Sequence, residues 1–269
     1  MIYETGFIGC GNMGSALAIA ASKNLSPGKI ILANKTPEKA RKLAERLGAA
    51  FGGNLDAAGK SRYIFLGVKP QMMAELLEAI APVLKARQDR FVLVTMAAGL
   101  TIDTIREMAG AVYPVIRIMP NTPSAIGAGM IQYAVSEDVT AEEKADFLAY
   151  MAGAGILDEL PEKLIDAGAA VSGCGPAFVD LFIEALADGG VQCGLPRAKA
   201  LLYAAQMVAG SAQLVLESGK SPAQLKDEVC SPGGSTIVGV HALENGGFRA
   251  ATMDAVTAAC LRTKELGKK

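Results

Sequence analysis

The sequence predicts an α/β domain with a doubly wound, mainly parallel sheet over residues 1–160, followed by an all-α domain over 161–269. Three observations carry this. Up to residue 160, short β-type runs alternate with helical stretches, the pattern of βαβ units. Beyond 161, no strand pattern appears, and long stretches rich in Ala, Leu, Val and Gly follow one another. The run Gly9-Cys-Gly-Asn-Met-Gly14 sits where the first strand should turn into the first helix.

The strands are expected at 4–8, 29–33, 62–67, 91–95 and 115–118, each a run of four to six mostly apolar residues. Two further runs, 129–135 and 155–159, extend the sheet. The intervening helices are expected at 12–23, 37–47, 70–85, 101–108 and 141–152. In the second half, helices are expected at 165–171, 176–192, 196–218, 221–229, 234–245 and 248–266. Pro176, Pro196 and Pro222 stand at or near first turns, where proline is tolerated because its missing N–H has no helical partner. The 196–218 stretch is apolar on more than one face: Leu201, Leu202, Ala205, Val208, Ala209, Ala212, Leu214, Val215 and Leu216 cannot all enter one small core. Such a helix is buried or forms an interface, so an obligate oligomer built from this half is expected.

Composition excludes several function classes. Net charge is −1, so bulk electrostatics favour neither nucleic acid nor an acidic membrane surface. No uninterrupted apolar run reaches the ~18 residues of a membrane span. The chain enters its first strand at once, leaving no room for a signal peptide. Cys10, Cys174, Cys193, Cys230 and Cys260 show no CxxC pair and no histidine partners, so reduced thiols, no metal site and a cytoplasmic enzyme are expected.

The glycine run reads as a dinucleotide site of the Rossmann type. Gly9 permits the tight turn, Gly11 lets a pyrophosphate approach the backbone, and Gly14 lets helix and strand pack closely. Cys10, Asn12 and Met13 complete the loop, and the helix N-terminus offers free N–H groups to phosphate. The second strand runs into Asn34-Lys35-Thr36-Pro37 with no acidic residue to bind a ribose 2′-hydroxyl. A carboxylate there would repel a 2′-phosphate, whereas Lys35 attracts one. NADPH is therefore expected over NADH, with NADH still usable. Thr36 is also placed to cap the helix that begins at Pro37. Two more loops follow strands: Gly67-Val68-Lys69-Pro70, with a cation at the strand end, and Ala97-Ala98-Gly99, whose small side chains let a flat ring lie close. Asn121, in the rigid turn Met119-Pro-Asn-Thr-Pro123, is a candidate to orient the nicotinamide amide or the substrate.

In the helical half, Ser231-Pro-Gly-Gly-Ser-Thr236 joins two helices. Gly233, Gly234, Ser235 and Thr236 present four successive N–H groups at a helix start, and three hydroxyls add donors. This is an anion nest, and without a lysine or arginine it suits a small carboxylate rather than a polyphosphate. Asp180, Glu184 and Asp188 share a helical face, but with no histidine nearby they are expected to be hydrogen-bonded or ion-paired. His241 is expected to pack or lie at the surface, and Cys230 to be inert.

Together these motifs resemble the pyrroline-5-carboxylate reductase family nearly end to end. The resemblance is carried by Gly6-Phe-Ile-Gly-Cys-Gly-Asn-Met-Gly14, Val68-Lys-Pro70, Ala97-Ala-Gly99, Arg117-Ile-Met-Pro-Asn-Thr-Pro123 and Ser172-Gly-Cys-Gly-Pro176. It continues through Ala187-Asp-Gly-Gly190, Gly194-Leu-Pro196, Ser231-Pro-Gly-Gly-Ser-Thr236 and Glu244-Asn-Gly-Gly-Phe-Arg249. It implies reduction of the imine in Δ1-pyrroline-5-carboxylate to L-proline by NAD(P)H. It also implies a homodimer through the helical domain, or a larger ring of dimers, with a substrate site between the domains. Carried over by residue, the family's cofactor contacts fall on Gly9–Gly14, Asn34, Lys35, Thr36, Asn54, Val68, Lys69 and Ala97. Its substrate contacts fall on Glu162, Ser231, Gly234, Ser235 and Thr236. Thr236, where the nest closes, is expected to reach the ring nitrogen.

Two rivals remain open. The β-hydroxyacid dehydrogenases share the Gly-Phe-Ile-Gly-x-Gly-x-Met-Gly opening, but they use a lysine on the first long helix after the dinucleotide domain, and 176–192 contains none. A non-catalytic NADP-sensing protein would not need a second anion nest.

Overall fold

The computed structural model describes residues 2–267, which divide into two compact units, residues 2–174 with 259–267 and Gly175–Ala258. In the first, strands and helices alternate as β1 (Tyr3–Ile8), α1 (Asn12–Ala21), β2 (Ile30–Ala33), α2 (Pro37–Leu47), β3 (Ala50–Phe51), α3 (Asn54–Lys60), β4 (Ser61–Leu66), α4 (Met73–Ala86), β5 (Val92–Thr95), α5 (Ile102–Ala109) and β6 (Val115–Met119). β7 (Gly129–Val135), α6 (Ala141–Met151), β8 (Gly155–Glu159) and α7 (Ile165–Gly168) follow. The strands form one sheet in the order β3-β2-β1-β4-β5-β6-β7-β8. All neighbours pair in parallel except β6 and β7.

This is the expected doubly wound sheet. The strand order reverses between β1 and β4, which makes the carboxyl end of β1 a topological switch point. Registers bring the relevant loops level: Ile8 lies opposite Ala33 of β2 and Leu66 of β4, and Leu66 lies opposite Thr95 of β5. A buried cluster packs on each face of the sheet, one around Ile64, Leu77 and Ile105, the other around Phe7, Phe65 and Phe147. A strand buried on both faces needs a continuous apolar run, which is why β1, β2, β4 and β5 were legible. β3 and α3 were not expected. Two strand residues and a seven-residue helix are too short for periodicity to register.

The second unit is helical: α8 (Gly175–Gln192), α9 (Arg197–Ser218), α10 (Pro222–Val229), α11 (Ser235–Asn245) and α12 (Phe248–Leu266), whose last turns belong to the first unit. The division falls after Cys174 rather than at residue 160. The physical reason is what residues 162–172 touch. Ile165, Ala169 and Ala170 are buried, and Asp166 and Glu162 pair with Arg117 of β6 at 2.5 and 3.4 Å. Ser172 exchanges hydrogen bonds with Gln132 of β7. Between α7 and α8 the backbone makes one π-helical stretch, Ala169–Gly173, which overlaps the end of the helix expected at 165–171. The helical stretch Glu162–Gln192 is thus continuous, and it is long and apolar enough to cross a membrane by length and composition. The sequence shows no apolar run of that length, because Asp166, Asp180, Glu184 and Asp188 interrupt the stretch. A single helix of this kind is equally the mark of an interface helix.

Candidate functional site

The cofactor candidates collect at the carboxyl edge of the sheet, within the first unit. Gly9 has φ +106°, and a Cβ there would meet the Gly67 carbonyl oxygen at 2.5 Å. A Cβ on Gly14 would meet the Gly9 oxygen at 1.9 Å, so β1 and α1 can come this close only through glycine. A Cβ on Gly11 would meet nothing within 4 Å. Gly11 therefore answers to no contact in the fold, and its open side faces where a pyrophosphate would lie. α1 starts beyond it with no side-chain cap and no acidic residue in its first turn, so Asn12, Met13 and Gly14 bring uncapped N–H groups.

Asn34 holds this loop in place. Its Oδ1 accepts from the Cys10 N–H at 2.9 Å, and its Nδ2 donates to the Thr36 carbonyl at 3.0 Å. The Cys10 thiol is buried and donates to the Ala33 carbonyl, and burial pushes its pKa up to about 11. Cys10 is thus a packing residue inside a binding loop. A cleft of about 460 Å³ opens beside it, lined by Gly9, Gly11, Asn34, Lys35, Asn54, Val68 and Lys69, seven of the expected cofactor residues. Lys39 lines it too, and was not singled out from the sequence. Lys35 precedes the N-cap of α2, so no helical spacing links the two lysines in the sequence. Asn54 reaches the cleft from the start of α3, the helix that periodicity did not show. Pro70 opens a 3₁₀ turn directly after Lys69.

Two expectations here are corrected, and Asn121 and the 97–99 loop carry contacts within the fold that the sequence did not show. Thr36 occupies the N-cap position of α2, but its hydroxyl caps nothing, because the N3 N–H of Lys39 bends to the Lys39–Thr36 backbone bond of 3.2 Å. Asn121 is hydrogen-bonded within the fold. Its Nδ2 donates to the Ser172 carbonyl at 3.1 Å and its Oδ1 accepts from the Met130 N–H at 3.0 Å, which ties β7 to the 169–173 stretch. Gly99 owes its identity to the chain itself: with φ +78°, its Cβ would lie 2.9 Å from the Thr263 carbonyl of α12. Ala97 is buried in the core, and Ala98 is half-buried beside it.

The last correction concerns the nest, in the second unit. Gly234 N–H donates to the Ser231 carbonyl at 3.0 Å, closing a turn with Pro232 and Gly233 at its centre; Gly233 has φ +69°. Proline then glycine is what a type II turn requires. This removes Gly234 from the four expected donors, leaving the N–H groups of Gly233, Ser235 and Thr236. Gly234 matters for space instead, since a Cβ there would strike the Ser231 Oγ at 2.4 Å. Ser235 and Thr236 are the first two residues of α11, whose N-cap Gly234 makes no side-chain bond.

The hydroxyls distinguish this turn from the helices around it. Thr252, Thr257 and Thr263 each donate to the carbonyl four residues back. Ser231, Ser235 and Thr236 are exposed and have no hydrogen-bond partner among the described residues. A serine or threonine within a helix satisfies itself locally, whereas these three point donors at solvent from a helix start. Glu162, the remaining substrate candidate, lies in the first unit and is engaged there. Its Oε1 accepts from the Ile102 N–H at 2.7 Å, capping α5, and from Arg117. Asp188 pairs with Arg197, and His241 is exposed against Asn245 at 3.0 Å.

Comparison with known proteins bears on both halves. The family described as pyrroline-5-carboxylate reductase dimerisation matches residues 162–266, and the family described as NADP oxidoreductase, coenzyme F420-dependent, matches residues 4–99. The chain is 42% identical over 268 residues to the pyrroline-5-carboxylate reductase of Escherichia coli strain K12, covering 98% of each. It is 42% identical to pyrroline-5-carboxylate reductase 3 of Danio rerio, covering 99% of this chain and 92% of the other. The crystal structure of the Plasmodium falciparum pyrroline carboxylate reductase with NADP bound superposes with a TM-score of 0.88 at 33% identity, covering 98% of both chains. With the dinucleotide loop at the switch point, the hydroxyl-rich turn before α11 and these relatives along its full length, the chain belongs to the pyrroline-5-carboxylate reductase family.

Proposed function

We propose that the chain reduces the carbon–nitrogen double bond of Δ1-pyrroline-5-carboxylate to give L-proline, the last step of proline synthesis, with NADPH as the reductant. The observation that carries the assignment of roles is the Ser231–Thr236 turn, with three partnerless hydroxyls at a helix start.

The residues of the first unit fit a dinucleotide. Gly11 leaves its side open, α1 offers an uncapped N-terminus, and Lys35, Lys39 and Lys69 line the cleft without an ion pair to any described residue. When bound there, NADPH supplies the hydride. Gly9–Gly14 would hold the pyrophosphate, Lys35 the 2′-phosphate, and Asn34, Asn54 and Val68 the adenosine side. NADH lacks the group that Lys35 attracts and is the weaker reductant.

On the substrate, Ser231 and Ser235 donate to the carboxylate together with the N–H groups of Gly233 and Ser235. The helix dipole of α11 adds a favourable field for that negative charge. Thr236 places its hydroxyl beside the ring nitrogen, where it accepts from the iminium N–H and then donates to the lone pair that forms as the hydride arrives. The hydride adds to the imine carbon, the π pair moves onto nitrogen, and nitrogen keeps the proton that made the ring an iminium. A donor held at that nitrogen stabilises the developing amine more than the flat imine, so its contribution appears in the rate. Glu162, bonded to the Ile102 N–H and to Arg117, takes part through positioning.

The helical half self-associates. We extend this to a homodimer, and to rings of such dimers, on the strength of the apolar side chains that α9 exposes. The stretch Glu162–Gln192 is read as an interface helix and not as a span. Five free thiols suit a reducing compartment, and the cytoplasm is the proposed location.

The test is NADPH oxidation followed by absorbance. Rapid oxidation with pyrroline-5-carboxylate is expected, with no NADP reduction by a 3-hydroxy acid. Turnover of the hydroxy acid alone would move the chain to the dehydrogenase class. NADPH binding without turnover of either would make it a sensor.

A further inference from the structure

Two charges in the dinucleotide cleft have no explanation in the fold. Lys39 is the third residue of α2, and a cation in the first turn opposes the helix dipole. It borders the same cleft as Lys35, which lies just before the N-cap of α2, so like charges gather there. Neither ammonium has an ion pair among the described residues, whereas Lys29, Lys60 and Lys144 of this unit each have one. The cleft's one carboxylate, Glu75, pairs with neither. Folding alone would favour moving or neutralising these charges. A dianionic ligand would favour keeping both.

The chemistry of the dinucleotide says which anion. The pyrophosphate has the α1 N-terminus and the open side of Gly11. A 2′-phosphate carries roughly −1.5 to −2 at neutral pH, more than one lysine neutralises. Lys35 and Lys39 flank the end of β2, where a ribose 2′ position is read in this fold.

We infer that Lys39 is a second cation for the 2′-phosphate, and that Lys35 and Lys39 act as a pair to select NADPH over NADH. This rests on the reading that NADPH occupies the cleft. It assigns Lys39 to neither the pyrophosphate nor the chemistry.

Binding of 2′,5′-ADP and of ADP to the full-length protein, measured by calorimetry without substrate, tests it. Lys39→Met removes the charge and keeps the apolar stem. The 2′,5′-ADP affinity should fall about tenfold, as for loss of one charge-assisted contact at an open site, while ADP affinity stays within about twofold. Lys39→Arg should restore most of the loss. An equal fall for both ligands would assign Lys39 to the pyrophosphate and overturn the inference, and so would no fall for either. Wild-type protein that binds ADP and 2′,5′-ADP equally would overturn the NADPH reading itself. Circular dichroism of the exposed variant separates misfolding from lost binding.

Discussion

The two units solve the burial problem differently. The first closes its own core: Leu17, Leu32, Tyr63, Ile64, Leu66 and Ile116 are wholly buried on the two faces of one sheet. The second buries little. Of its residues, Ala187, Ala200 and Ala204 are buried, while Leu181 and Leu202 keep 67% and 57% of their surface exposed. Exposed leucines on several helices of an eighty-residue unit are more than isolated surface residues would explain. The dinucleotide half is complete as one chain, and the helical half is completed by another copy. The candidate residues differ likewise, each set within its own unit. The cofactor loop is locked by internal bonds such as Asn34 to Cys10, whereas the hydroxyls of Ser231, Ser235 and Thr236 wait for a partner.

If this contrast holds, damage to the helical half should be the more severe. Leu202→Asp is expected to give monomer or aggregate by light scattering with nearly all activity lost, since several leucine-sized burials at ~1.5–3 kcal/mol each would be forfeited across the interface. An active, soluble monomer would sink the claim that the second unit needs a copy.

Thr236→Ala should come next. A drop in kcat of roughly ten- to a thousand-fold is expected, with NADPH affinity almost unchanged, because the two ligands use different units. Ser231→Ala should act chiefly on KM through the carboxylate. Reversed effects, with kcat intact in the threonine variant and abolished in the serine variant, would exchange their roles.

The cofactor half should respond more selectively. Lys35→Ala is expected to raise KM for NADPH about tenfold or more, a contact of roughly 1.5–3 kcal/mol reduced by solvent exposure, and to leave NADH nearly unaffected. Equal losses with both cofactors would take Lys35 away from the 2′-phosphate.

The smallest effect sharpens the packing side of the comparison. Burial raises the Cys10 pKa, so the folded state favours the neutral thiol. The stability this gives is present below the ordinary thiol pKa and is lost as pH rises from about 9 through about 11. At pH 8, iodoacetamide should modify exposed Cys193 and spare Cys10 until denaturant is added, as read by peptide mass spectrometry. Early modification of Cys10 would show that the dinucleotide loop opens in the native protein.

What the residues announced on their own was local chemistry with a fixed spacing. Gly9-x-Gly11-x-x-Gly14 marked the switch point because each glycine answers a short-range backbone demand, and the buried strands announced themselves as continuous apolar runs. The same holds for Lys35 at the end of β2 and for the Ser231–Thr236 turn. Tertiary structure decided whatever depended on distant partners. Asn121 looked like a ligand group and also ties Ser172 to Met130. Gly99 looked like room for a ring and also makes room for α12. Glu162 belongs to the sheet unit because Arg117, forty-five residues earlier in sequence, holds it there. Lys39 became visible only when one cleft collected it with Lys35. A side chain's type can be read from the sequence, but whether its polar atoms are already used depends on which segments the fold brings beside it, and only packing supplies that.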